Sequence, residues 1–155
     1  MTATRELSAT RDVRASCQQV WDVLANGWTY TQWVVGNSRT RAVDSNWPEP
    51  GSVIRHSIGV WPLVINDQTE VESCEPLREL VLRAGLGSFG AARITIRLHE
   101  TPEGCRVEMI EVPVEVPIRF IPNQLTLVAI HPRNRECILR LTALAERLEP
   151  SQVEG

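Results

Sequence analysis

From Arg39 to Val116 the chain alternates apolar and polar side chains with a period of two, and after that the period lengthens to that of a helix. The clearest run is Ala92–Glu100. Ala92, Ile94, Ile96 and Leu98 point one way, and Arg93, Thr95, Arg97 and His99 point the other. A strand with one dry and one wet face belongs to an antiparallel sheet that is covered on one side only. The same reading predicts strands over Arg39–Asp44, Ser52–Val60, Asn66–Ser73, Glu79–Ala84 and Arg106–Val116. They are punctuated by Trp47-Pro-Glu-Pro-Gly51, Glu75-Pro76, the glycines from Gly85 to Gly90, and Thr101-Pro-Glu-Gly104.

Helical patterns flank this block. Thr4–Ala15 reads as a first strand, and Ser16 with Gln19 three residues later forms a capping-box signature. Cys17, Val20, Trp21 and Leu24 then share one helical face, with Gly27 as the stop and a second short helix predicted over Tyr30–Val34. At the other end Leu127, Ile130, Asn134, Ile138, Leu141, Ala145 and Leu148 form one stripe, while Arg133, Arg140 and Arg147 lie largely off it. Pro132 is expected either to kink this helix or to mark its true start.

A sheet that buries one face needs a second layer, and the long C-terminal helix is what the chain offers. The expected fold is α+β: a curved antiparallel sheet of six to seven strands gripping that helix, with two short helices after strand 1. Residues 1–149 are expected to form one domain and 150–155 a disordered tail.

Composition narrows the function. Sixteen basic and nineteen acidic residues are interspersed, with a net charge of -3, so no basic stripe awaits a nucleic acid. All sixteen basic residues are arginine, which excludes Schiff-base chemistry by a lysine amine. Cys17, Cys74, Cys105 and Cys137 are too scattered for a zinc site or a disulfide framework, and read as reduced thiols in a cytoplasmic protein. The first sixteen residues are polar, and no stretch approaches the ~20 apolar residues that cross a bilayer. No metal or cofactor is expected. Gly85-Leu-Gly87-Ser-Phe-Gly90 spells GxGxxG, but a dinucleotide site needs a helix to open there and Ala91 onward alternates as a strand.

Several residues invite a chemical role. His56 is in phase with Ile54 and Ile58; it suits a ligand carbonyl or general-base work, or is simply a satisfied core imidazole. Glu111 shares a face with Val107 and Met109, where a buried carboxylate needs a partner, although Ile110, Val112 and Val114 offer a competing phase. These two are the candidate catalytic groups. Asn134 interrupts an apolar stripe with an amide that both donates and accepts, or else caps a helix near Pro132.

The order of Ala15-Ser-Cys-Gln-Gln-Val-Trp21-Asp-Val-Leu24, Trp33, Pro50-Gly51, Val71-Glu-Ser-Cys-Glu-Pro76, Gly104-Cys-Arg-Val-Glu-Met109-Ile-Glu111 and Arg133-Asn134 resembles the START/polyketide-cyclase (SRPBCC) helix-grip superfamily. That resemblance implies a cavity between sheet and helix, with Trp28 and Trp33 beside its entrance. It makes Trp28, Trp33, His56, Met109, Glu111, Leu127, Asn134 and Ile138 the candidate ligand-binding set. The expected function is to bind or carry a small hydrophobic molecule (lipid, polyketide-like or aromatic), as a monomer or weak homodimer. The alternatives are a cofactor-independent cyclase or dehydratase using the same cavity, and a protein-interaction module.

Overall fold

A computed structural model describes residues 7–85, 90–114 and 123–148, with side chains from residue 8 onward and, in the last segment, from residue 132. Strand β1 (Leu7–Val13) leads into helix α1 (Cys17–Ala25), a 3-10 turn (Gly27–Thr29) and the short helix α2 (Tyr30–Trp33). Six strands follow: β2 (Asn37–Val43), β3 (Val53–Val60), β4 (Leu63–Glu75), β5 (Glu79–Gly85), β6 (Ala91–Thr101) and β7 (Gly104–Pro113). Helix α3 (Asn123–Arg147) ends the fold.

All seven strands join one antiparallel sheet in the order β1-β7-β6-β5-β4-β3-β2. From β2 to β7 each strand pairs with the next in the chain. β1 then pairs with β7, so β1 and β2 are left as edges and the sheet is open rather than a barrel. One face supplies Ile54, Val71, Leu80, Leu82, Ile94, Ile96, Leu98, Val107 and Met109 to the core, and α3 packs over it with Cys137, Ile138, Leu141 and Ala145.

The capping box is present: Gln19 N–H donates to Ser16 Oγ at 3.1 Å, and Ser16 N–H donates to Gln19 Oε1 at 2.9 Å. Gln19 does more than cap. Its Nε2 also donates to the Leu148 carbonyl at 2.6 Å, tying the start of α1 to the end of α3. Gly104 is demanded by close approach, because a Cβ there would lie 2.3 Å from the Val13 carbonyl oxygen.

Three sequence readings are corrected. Pro132 does not start the last helix; it lies inside α3, where the missing N–H removes one backbone bond of many. Asn134 is therefore mid-helix and caps nothing. β4 begins at Leu63, not Asn66, because Trp61-Pro62 forms a two-residue hairpin and β3 and β4 pair out to Val60–Leu63. Elsewhere the alternation was read in phase, and the residue after Gly90 opens β6 rather than a helix. Thr4–Glu6, Glu115–Val116 and the tail 150–155 lie outside the described residues.

Truncating Leu141, which is fully buried, is expected to destabilise the protein by about 2–5 kcal/mol in urea unfolding, whereas Arg140→Ala on the exposed side of α3 should cost within about 0.5 kcal/mol. Equal effects would mean that α3 does not anchor the core.

Candidate functional site

Between α2, α3 and the inner sheet face, the apolar core gives way to a set of buried polar side chains. Its first group begins on β3. His56 points inward with Ile54, and its Nε2 lies 2.9 Å from Thr69 Oγ1 on neighbouring β4. Thr69 Oγ1 is also 2.8 Å from the hydroxyl of Tyr30 on α2. The Tyr30 ring packs beside the imidazole at 5.2 Å and meets Trp33 edge-on at 5.5 Å.

Each hydroxyl has one proton. The direction Tyr30 to Thr69 to His56 Nε2 uses both, and it leaves the imidazole proton on Nδ1. Nδ1 has no hydrogen-bond partner of good geometry, although the Gln68 backbone lies near enough to favour the protonated ring slightly. Burial holds His56 below the ordinary histidine range, with the Arg41 charge acting in the same sense and Asp67 against it. Burial likewise pushes the Tyr30 hydroxyl up to about 12, so it is a neutral donor.

The second group joins β7 to α3. Glu111 is buried on the face of Val107 and Met109, which settles its phase, and both its oxygens accept from Arg133 Nη1 at 3.2 Å. Arg133 Nε donates to the Val35 carbonyl at 3.1 Å, and the Val35 N–H meets Cys137 Sγ at 3.3 Å. Val35 follows just after α2, which carries Tyr30, and α2 packs against α3, so the two groups adjoin.

Asn134, next to Arg133, is 1% exposed, and neither its Nδ2 nor its Oδ1 has a partner. Met109 and Ile138 are buried among the same core residues. Trp33 is buried while Trp28 is 57% exposed, so of the two tryptophans only Trp28 faces solvent. The Leu127 side chain lies outside the described residues.

Tyr30, Thr69 and Arg133 were not singled out from sequence. Thr69 carries a signal in hindsight, since it is in phase with Val71 as His56 is with Ile54. Among the described residues no three His, Cys, Asp or Glu side chains form a metal-holding cluster. Two surface clefts of about 660 and 640 Å³ share Asp12 and Arg106 at the β1–β7 end of the sheet, and no residue of the buried polar set lines them.

Because a depressed His56 favours the neutral ring in the folded state, its contribution to stability is complete above pH 6.5, the unfolded value. It is lost progressively as pH falls below that toward the lower native value. His56→Gln should flatten this acid limb in urea unfolding; an unchanged limb would place the titration elsewhere. Arg133→Met, which strands a buried carboxylate, should cost about 3 kcal/mol, and adding Glu111→Gln should recover most of it.

No family profile and no curated protein sequence matches this chain. Solved structures do. The di-domain ARO/CYC StfQ from the steffimycin biosynthetic pathway superposes with a TM-score of 0.73 at 10% identity over 91% of this chain, which spans 50% of that one. Ara h 8.0201 gives 0.72 at 7% identity, covering 92% of this chain and 97% of its own. A protein from Rhodobacter sphaeroides gives 0.71 at 19% identity, covering 95% of each chain. A C-terminal helix laid across an open seven-stranded antiparallel sheet is the helix-grip fold, which this chain shares with these solved structures over nearly its whole length.

Proposed function

We propose that this chain is a single binding domain for a small hydrophobic molecule held between the sheet and α3, with a polar group of the ligand engaged by Asn134. The observation that carries this is the Asn134 amide: buried, aimed from the core stripe of α3, and unpartnered at both polar atoms. A buried polar atom without a partner costs about 1–3 kcal/mol. Native interiors retain such an atom where something else satisfies it. An amide is matched by a ligand carbonyl, hydroxyl or both. His56 Nδ1 offers a further donor, and Ile138, Met109 and Trp33 supply apolar wall. The helix-grip neighbours, one of them an ARO/CYC protein, support a ligand-holding fold without naming a ligand.

One arrangement favours a second reading, that of a cofactor-independent cyclase or dehydratase. Tyr30, Thr69 and a neutral His56 form a continuous hydrogen-bonded chain along which a proton can move. Glu111 is the weaker candidate acid or base, because both its oxygens are held by Arg133.

Native mass spectrometry of freshly purified protein is expected to show a small-molecule adduct. Asn134→Leu should weaken that ligand about ten- to hundredfold, by the loss of two neutral hydrogen bonds, while raising the stability of the empty protein. A destabilised Asn134→Leu with unchanged affinity would mean that the amide serves the fold and not a ligand. His56→Ala separates the two readings. A carrier loses at most about tenfold in affinity, whereas an enzyme keeps its affinity and loses about a hundredfold or more in single-turnover rate.

A further inference from the structure

Among the described residues the β3–β4 hairpin runs past its strand neighbours: β2 pairs with β3 no further than Ile58, and β5 pairs with β4 only from Thr69. Among those residues, β3 and β4 beyond this point pair with each other, from Ile58–Ile65 to Val60–Leu63, and Trp61-Pro62 forms the tip. The neighbouring chain adds one bond at the root, where Gly59 N–H donates to the Gly36 carbonyl at 3.0 Å.

What projects is apolar. Val60 is 80% exposed, Trp61 84% and Leu63 82%, with Val64 and Ile65 at 40% and 44%. Residues 57–66 contain no charged side chain, and the polar residues at the root, Ser57 and Asn66, are neutral. The exposed side chains also occupy both faces of the ribbon. Cross-strand partners share a face, so Val60, Leu63, Ile58 and Ile65 lie on one side and Val64 on the other, with Trp61 at the turn.

We propose that this hairpin is a membrane-docking element that inserts into the interfacial region of a lipid bilayer. A partner strand or a second copy packing on one face would leave the other face in water. A bilayer surrounds the tip on every side. The dimensions agree: about three residues per arm at roughly 3.3 Å each reach about 10 Å, which is the depth at which interfacial elements lie. Tryptophan at the turn is the residue type that favours that zone. The lack of charge selects a neutral apolar phase rather than an anionic surface, so binding is expected to be insensitive to salt.

The inserted face is also the ligand-facing one. Ile58–Ile65 and Val60–Leu63 continue, in register, the inward phase of Ile54, His56 and Thr69. On that face Asp67 stands opposite His56, and the apolar tip begins directly beyond this pair with Ile58 and Ile65.

The test is flotation of the full chain with extruded phosphatidylcholine vesicles, at low and high salt, with tryptophan emission recorded alongside. The wild type is expected to float at both salt concentrations with a blue-shifted emission, and Trp61→Phe should remove most of that shift. Leu63→Glu and Val60→Glu should each weaken partitioning at least about tenfold, with the urea midpoint unchanged because neither side chain is in the core. Asn134→Leu should float like the wild type, since docking does not depend on the ligand site. Failure of the wild type to float, or flotation of Leu63→Glu like the wild type, would overturn the proposal. So would sedimentation of the wild type as a dimer that Leu63→Glu dissociates without vesicle binding, which would make a second copy the occupant.

Discussion

The contact of α3 with the inner sheet face is the constraint on which the rest depends. An open sheet with Ile54, Val71, Leu80, Leu82, Ile96 and Val107 on one side has no stable existence in water until that side is covered. Ile138, Leu141 and Ala145 join that side in one buried cluster, to which α1 and α2 add Val20, Leu24, Tyr30 and Trp33. Gln19 fixes the arrangement: by capping α1 and binding the Leu148 carbonyl, one side chain registers the first helix against the last.

The same helix carries the polar groups. Arg133, Asn134 and Cys137 are held inside because their neighbours Ile138 and Leu141 must be there, so the packing that stabilises the fold also aims the site. Two of the buried polar sets are internally matched, Glu111 with Arg133 and Tyr30 with Thr69 and His56. Low polarity around them strengthens each pairing and raises the cost of any atom left out. His56 Nδ1 and Asn37 Oδ1 each lack a partner, and Asn134 lacks one at both its polar atoms. An apolar residue at that position would be the simpler solution for a purely structural helix, and the amide is thus the clearest departure of this interior from what stability requires.

Apolar surface is handled in two opposite ways in one molecule. Among the described residues the inward side chains of the central strands, such as Leu80, Leu82, Ile94 and Ile96, are buried, and in the β3–β4 ribbon Val60, Trp61 and Leu63 are left open. The difference lies in pairing: among the described residues the ribbon has strand neighbours at its root, and its tip side chains stay exposed. Nothing in the packing of the core requires such a tip to be apolar.

Local pattern alone placed most of the strands, and in β6 the inward face as well. Ile94, Ile96 and Leu98 could not face the core unless Arg93 and Arg97 faced water, and the stripe from Asn134 to Ala145 could be buried only as a helix. The capping role of Ser16 and Gln19 was legible for the same reason, being a relation between residues three apart. What depends on contacts between distant segments was not legible. The phase of Glu111 was ambiguous until Arg133, on α3, met its carboxylate. Tyr30, Thr69 and His56 come from a helix and two strands, and nothing in their spacing brings them to one hydrogen-bonded chain. Pro62 reads as a strand breaker in isolation, yet pairing of Val60 with Leu63 makes it the turn of a projecting hairpin. The sequence by itself determined which side of most elements is dry, β7 excepted. Only the tertiary structure decided which dry sides meet, which polar atoms find partners there, and which apolar residues are left facing outward, because those outcomes are set by the assembly of elements far apart in the chain.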